Sequence, residues 1–255
     1  MIEIRTPAEV EEMRPAGVFV ASVVEATCAA AKVGMNILDL DRLAGDMIKR
    51  AGAISSYVDY HPSFGGSKFG KYICISVNDA ALHGLPFSYR LQDGDVVSLD
   101  FAASLDGWVA DSARTVIVGT PRPEDVTLVD VTRRALEAGI AQAVPGNKMG
   151  DISAAIGAVA HAAGLKVNLE FGGHGVGREM HGDPHVPNDG RAKRGIPLRA
   201  GLVFAIEPWF MLGTDRIYTD RDGWTLRSVD GSRAAHFEHT IAITDGAPLV
   251  LTKTP

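Results

Sequence analysis

The stretch "VVSLDFAASLDGWVADSARTV", residues 96–116, constrains the fold more than any other segment of this chain. Its Val, Leu, Phe and Trp content is that of a strand pair, and Asp106-Gly107 is a two-residue hairpin turn signal. Such a turn sets the register: Leu105 opposes Trp108 and, counting outward, Ala102 opposes Asp111. Because strand side chains alternate between faces, Asp100 shares the face of Ala102 and lies diagonally from Asp111. Across a diagonal of roughly 7–8 Å the two carboxylates can converge on one point, where like charges repel unless a cation intervenes. A divalent metal answers the problem. So does a different register that leaves one acid on a solvated face, and for this pair alone the two readings stand even.

The surrounding pattern places the hairpin in an α+β domain. Thr6-Pro7-Ala8-Glu9 supplies an N-cap, a proline at the first helical position and an acid three residues after the cap. The apolar spacing of Met13, Gly17, Val20, Val24 and Cys28 predicts a helix from there, bent by Pro15 and stopped near Gly34. A second helix is predicted from about Asp39, with Leu40, Leu43, Ala44, Met47 and Ile48 on its apolar face and Gly52 at its end. Gly146, Asp151 and Gly164 lie 112 residues after Gly34, Asp39 and Gly52, and a further helix is predicted from Pro123. This suggests one domain, 1–255, built from two pseudo-symmetric halves of about 1–118 and 119–255. Chance similarity between two amphipathic helix pairs is the competing account, since capping Gly and Asp are common. Strand signals follow both pairs: "YICISV", "VVSLDFAAS", "WVADSARTVIV", "LVFAIEPWF", "WTLRSV" and "FEHTIAIT". The expectation is a strongly curved, mainly antiparallel sheet with helices on one side.

Composition excludes several functions. The 255 residues, 46% of them hydrophobic, suffice for a large core. A net charge of −6 without a dense Lys/Arg stripe argues against nucleic acid as a ligand. No segment reaches the roughly 18 apolar residues of a membrane span, and the N-terminus lacks a signal-peptide pattern. The two cysteines, Cys28 and Cys74, can build neither a disulfide framework nor a thiolate zinc site; they fit a reducing, cytoplasmic setting.

The second half adds further candidate ligands. "FGGHGVGREMHGDPH" sets His174 among glycines that let backbone approach closely, although a lone histidine there is ordinarily loop surface. "LVFAIEPWF" buries Glu207 in an otherwise apolar strand, and "FEHTIAIT" does the same with Glu238. Unpaired glutamates in such strands are costly. Four acids and one histidine form a hard, oxygen-rich set suited to one or two divalent first-row ions. Competing motifs fail on their residues. "GGSKFGKY" has Tyr72 where a P-loop needs a hydroxyl in a compact turn, "HFEH" is not H-E-x-x-H, and neither G-x-S-x-G nor C-x-x-C occurs.

"SLDFAASLDGWVADSARTVIVG", "GGHGVGREMHGDPHVPN", "FAIEPWF" and "FEHTIAIT" closely resemble the metal-ligand blocks of type I methionine aminopeptidases, and "IRTPAEVEEMRPAG" and "CISVNDAALHGLP" look like that family too. The resemblance spans nearly the whole chain and implies the pita-bread fold, a pseudo-twofold α/β arrangement. It implies that Asp100 chelates one metal, that Asp111 and Glu238 bridge two, and that His174 and Glu207 hold the other. The metals would be Mn²⁺, Fe²⁺, Co²⁺ or Zn²⁺. Glu207 would also relay protons, while His83 and His181 would contact substrate and stabilise the tetrahedral intermediate. Cys74, Tyr60, Phe64 and Trp224 would line the methionine pocket, for which the competing account is ordinary core packing. Asn78 matches a position near a monovalent-cation site. The family's substrate is the N-terminal methionine of nascent chains, preferably before a small second residue, which implies proximity to ribosomes. His61, His161, His185, His236 and His239 receive no role. Between His61 and Cys74 the chain is longer and more glycine-rich than the family pattern, which affects the pocket. Two other functions compete: an Xaa-Pro aminopeptidase or dipeptidase of the same fold, and a pita-bread binding protein without catalysis.

Overall fold

The computed structural model describes residues 2–62 and 67–254. In its first half the helices α1 (Pro7–Ala30) and α2 (Ile37–Ala51) precede β1 (Ile54–Ser55), β2 (Cys74–Val77), β3 (Ala80–Leu82), β4 (Val96–Leu105) and β5 (Trp108–Ile117). The second half opens with α3 (Pro123–Gln142) and α4 (Met149–Ala162), followed by β6 (Lys166–Val167), β7 (Gly173–Gly175) and β8 (Gly182–Val186). Next come β9 (Val203–Ile206), β10 (Trp209–Met211), β11 (Ile217–Thr219), β12 (Leu226–Ser228), β13 (Ala234–His236), β14 (Glu238–Ala242) and β15 (Leu249–Val250). Among the described residues no helix is long and apolar enough to cross a membrane.

Local chemistry accounts for the helix limits. The Glu9 N–H donates to Thr6 Oγ1 at 3.2 Å and the Thr6 N–H to Glu9 Oε2 at 2.8 Å, the reciprocal pair that starts α1. Pro15 lies within α1 without ending it, and the helix stops at Ala30, four residues before the predicted Gly34. Gly34, at φ 84°, instead shapes the turn into α2, its N–H donating to Leu91 O at 2.8 Å. Helix α2 starts at Ile37 rather than Asp39 because Asn36 caps it, accepting from the Leu38 N–H at 3.1 Å. Gly52, at φ 66°, ends it in the left-handed region, as predicted. The helix–helix–strand order occurs twice along the chain, and Gly146 and Gly164 are also at positive φ.

The principal sheet has the order β1-β4-β5-β14-β9-β7-β8, with β2 on β4 and β15 on β14. Every strand pairing is antiparallel, which agrees with the expected curved sheet. Asp106 at φ 52° and Gly107 at φ 77° form the tight turn of the β4–β5 hairpin, and the predicted register holds from Leu105–Trp108 to Ala102–Asp111 and beyond. Alternation along β4 divides the molecule. Val97, Leu99, Phe101 and Ala103 join the core with Val20, Val24, Leu40 and Ile48 of α1 and α2. In the second half Phe204, Ile206 and Ile241 meet Leu128, Ala135, Ile152 and Ile156 of α3 and α4. Ala102 and Ala205 face the other way, into a cluster with Tyr57, Phe69, Cys74 and Trp224 that contains no helical residue. The helices therefore cover one face of the sheet and leave the other to a pocket.

The C-terminal segment closes against α1 at Gly17, where an added Cβ would strike the Leu251 carbonyl. In an exposed helix a Gly→Ala change gains about 1 kcal/mol of propensity. Overpacking against fixed backbone costs about 1–3 kcal/mol, so the clash should win. Gly17→Ala should lower the melting temperature by several degrees in a thermal melt, and an unchanged or higher value would show that this contact yields.

Candidate metal centre and substrate pocket

The strand order turns scattered acids into a row. Asp100 lies on β4, Asp111 on β5 and Glu238 on β14, where it pairs with Ala113. Glu207 follows the last residue of β9, and His174 is the middle residue of β7. These strands are consecutive neighbours in the sheet, so the spatial order is Asp100, Asp111, Glu238, Glu207, His174. Glu207 is not inside a strand, contrary to the sequence expectation for residues 202–210. Pro208, which has no N–H for a ladder, interrupts the run, and β10 leaves to pair with β13 and β6. The Glu207 carbonyl is held by Asn188 Nδ2, which donates to it at 3.0 Å.

All five side chains line one cavity of about 260 Å³. Single donor atoms of Asp111, His174 and Glu238 lie within 4.8 Å of one another. Glu207 stands close to this trio, with His174 Nε2 3.6 Å from Glu207 Oε1 and 3.8 Å from Asp111 Oδ2. Such separations are too long for hydrogen bonds but suit ligands arranged around a shared cation.

Electrostatics supports the same fit. Burial pushes Asp100 up to about 6 and, with the Asp100 charge adding to it, Glu207 up to about 8. Asp111 and Glu238 rise well above the usual carboxylate range, first through burial and then through neighbouring acids. Among the described residues no Lys or Arg lines the cavity. Among the described residues Glu238 Oε1 and His236 Nε2 are buried without a hydrogen-bond partner. His174 is held neutral, its pKa lowered to about 3 by burial and then by His181. A neutral imidazole and several crowded carboxylates with an orphaned oxygen are the donor set a divalent cation takes.

His83 sits at φ 55°, an uncommon conformation for a residue with a side chain. It is held there because the adjoining Gly84 N–H donates to Ser76 Oγ at 3.0 Å and the Gly84 carbonyl accepts from the Ile75 N–H at 2.8 Å. Burial, followed by the nearby His181, lowers its pKa to about 4, so its imidazole is neutral. His181 stands at the pocket edge, its ring 4.2 Å from that of His174 and its Nδ1 hydrogen-bonded to Tyr60 Oη at 3.2 Å. Tyr60, Cys74 and Trp224 line the cavity. Phe64 lies outside the described residues.

Three residues with no sequence-based role also belong here. Phe69 packs edge-on to Trp224 at 5.2 Å and to Tyr57 at 5.6 Å. Tyr57 donates its hydroxyl proton to Asp100 Oδ1 at 2.6 Å. His236, only 2% exposed, brings Nε2 to 3.7 Å from Glu207 and 3.9 Å from Glu238. His236 ends β13 and Glu238 begins β14, so the two meet at a change of strand rather than along one strand face. Of the remaining histidines, His185 lines the cavity, His161 pairs with Asp189 at 2.8 Å and His239 bonds Thr252 Oγ1 at 2.9 Å.

These shifts define how metal-free protein should respond to pH. A carboxyl whose folded pKa is raised favours folding below its unfolded value and loses that contribution as pH rises through the folded value. Histidines with lowered pKa act oppositely, but only below about pH 6.5, their unfolded value. Between pH 6.5 and 8.5, then, the Glu207 shift dominates, joined by Asp111 and Glu238. The melting temperature of chelator-stripped protein should fall across that window, and saturating Mn²⁺ should remove most of the fall. A flat or rising profile for the stripped protein would contradict this electrostatic account.

Comparison with known proteins agrees with the geometry. The model of metallopeptidase family M24 matches residues 11–245. A methionine aminopeptidase of Aquifex aeolicus is 43% identical over 99% of both chains. The crystal structure of a methionine aminopeptidase from Thermotoga maritima superposes with a TM-score of 0.94 at 39% identity, covering 99% of this chain and 100% of that one. The prolidase from Pyrococcus horikoshii shares the fold, with a TM-score of 0.74 at 22% identity over 99% of this chain and 64% of its own. The architecture is the pita-bread fold that the sequence resemblance implied, and with a full-length match to methionine aminopeptidases this chain belongs to metallopeptidase family M24.

Proposed function

We propose that this chain removes the N-terminal methionine from peptides and nascent polypeptides, preferably before a small second residue, with two divalent cations held by Asp100, Asp111, His174, Glu207 and Glu238. The observation that carries this reading is the convergence of those five side chains, from neighbouring strands, on a cavity also lined by Tyr60, Phe69, Cys74 and Trp224. Strand order supports the division of labour. Asp111 and Glu238 lie on the adjacent strands β5 and β14 and would serve both cations, with Asp100 on β4 to one side and Glu207 and His174, from β9 and β7, to the other. Mn²⁺, Fe²⁺, Co²⁺ and Zn²⁺ all accept such ligands. A monovalent cation near Asn78 belongs to the same reading. Asn78 is fixed at φ 57°, with Nδ2 donating to Asp95 Oδ1 at 2.8 Å and its carbonyl accepting from the Ala234 N–H at 2.9 Å.

Divalent cations in this site supply Lewis-acid polarisation of the scissile carbonyl and acidify water to give a nucleophile near neutral pH. The protein side chains do the rest. The methionine side chain enters among Tyr60, Phe69, Cys74 and Trp224, where a thioether against aromatic rings gains about 0.3–1.5 kcal/mol per contact. Phe64 remains part of this proposal as a pocket residue. Neutral His83 donates a hydrogen bond to the substrate carbonyl as negative charge develops there. His181, whose Nδ1 faces Tyr60, presents Nε2 to the substrate backbone. Glu207 carries a proton to the departing nitrogen.

Xaa-Pro hydrolysis is the weaker reading, because the prolidase likeness is to a longer chain at 22% identity. A binding protein without catalysis is weaker still, because all five ligand positions carry oxygen or imidazole donors. Chelation should abolish cleavage of Met-Ala-Ser and added Mn²⁺ or Co²⁺ should restore it, with no comparable turnover of Xaa-Pro peptides; the reverse preference would overturn the assignment. Asp111→Ala should reduce kcat/KM by roughly 10³-fold or more, and near-normal turnover would remove it from the metal site. His83→Ala should lower kcat by roughly 10²-fold at saturating metal without altering metal content.

A further inference from the structure

Tyr57 touches the metal-ligand row through one atom and the substrate pocket through its ring. Its hydroxyl lies 2.6 Å from Asp100 Oδ1 and 3.4 Å from Asp111 Oδ1, and the residue is 6% exposed. The backbone that delivers it is itself tied: the Tyr57 N–H donates to Ser55 Oγ at 3.1 Å, and Ser55 pairs with Ala103 of β4. The ring packs edge-on to Phe69 at 5.6 Å with an interplanar angle of 62°, and Phe69 in turn meets Trp224 at 86°. Ring packing therefore holds the phenol in place, and the phenol holds the carboxylate.

We propose that Tyr57 is a positioning residue whose hydroxyl fixes the Asp100 carboxylate in the orientation that receives a divalent cation, so that this flank of the site is formed before metal binds. The proposal rests on the reading of Asp100 as a metal ligand. An O–H···O⁻ contact of 2.6 Å is in the range of charge-assisted hydrogen bonds, which are about twice as strong as neutral ones. With Oδ1 engaged by Tyr57, the second oxygen Oδ2 is presented at a defined angle rather than rotating about the side-chain torsions. Hydrogen bonds of this kind to metal ligands typically govern affinity by about 10–100-fold. The alternative is that Tyr57 is only a pocket wall, in which case its hydroxyl is dispensable for metal binding.

Tyr57→Phe separates the two, because it keeps the ring and removes only the hydroxyl. Calorimetric titration of chelator-stripped protein with Mn²⁺ should show one binding step weakened about 10-fold or more. At saturating Mn²⁺ the KM for Met-Ala-Ser should stay within about twofold of wild type, since the pocket wall is intact. In an Asp100→Asn background, removing the hydroxyl should weaken Mn²⁺ binding no further. Wild-type Mn²⁺ affinity in Tyr57→Phe, or a full additional loss in the double variant, overturns the positioning role while leaving the metal assignment intact. A wild-type chain that takes up no Mn²⁺ overturns both.

Discussion

Among the described residues five carboxylates and no lysine or arginine line one cavity, and four of the five form a row across neighbouring strands; the rest of this structure follows from that constraint. Two like charges about 4 Å apart repel by roughly 4 kcal/mol even at the effective dielectric of a protein surface. No arrangement of the surrounding side chains relieves that. Tyr57 offers one hydroxyl, His236 an unpartnered nitrogen, and His174 a neutral ring. Without metal the raised carboxyl pKa values relieve the repulsion by protonation, whereas a divalent cation would balance the same acids in their ionised form. A cation held there would supply the Lewis acidity on which the proposed hydrolysis rests.

The sheet is what allows so costly a cluster to form. Its neighbouring strands come from both halves of the chain, and β14, near the C-terminus, is inserted between β5 and β9. Each of β4, β5, β14, β9 and β7 carries a single candidate ligand or leads directly to one, and β4, β5, β14 and β9 pack their other faces into the helix-containing cores. Leu99 and Phe101 on either side of Asp100 are fully buried, each contributing roughly 1.5–3 kcal/mol. Apolar burial behind the sheet thus offsets the electrostatic penalty in front of it, a common relation between stability and an active site.

Much of this was legible in the sequence wherever the determinant is local. The Asp106-Gly107 turn dictates a register by itself, so the shared face of Asp100 and Asp111 could be counted out residue by residue. Capping likewise placed the start of α1 and the end of α2. Errors arose where one local signal was allowed to override another. Reading through Pro208 made residues 202–210 one strand, whereas the missing N–H ends β9 and frees Glu207 to face the cavity. Taking Gly34 as a helix stop overlooked Asn36, which needs a turn before it can cap α2. Tyr57 and Phe69 were invisible for a different reason. Their partners lie 43 residues away at Asp100 and across the chain at Trp224, and nothing near them in sequence distinguishes a carboxylate-binding phenol from a core aromatic.

The hairpin that made the acids countable also protects their placement. Side chains alternate with a period of two, so a one-residue slip of β4 would turn Asp100 into the helix-facing core and expose Phe101 to the cavity. The first change buries an unpaired charge among Val, Leu and Ile side chains, and the second removes a fully buried ring from its neighbours; both disfavour the slip. Positive φ at both Asp106 and Gly107 restrains the turn against the same slip from the other end. The metal site is therefore kept in register by groups that never touch metal. Substitutions in the turn or in the helix-facing residues of β4 act on the chemistry through the position of Asp100 as well as through stability.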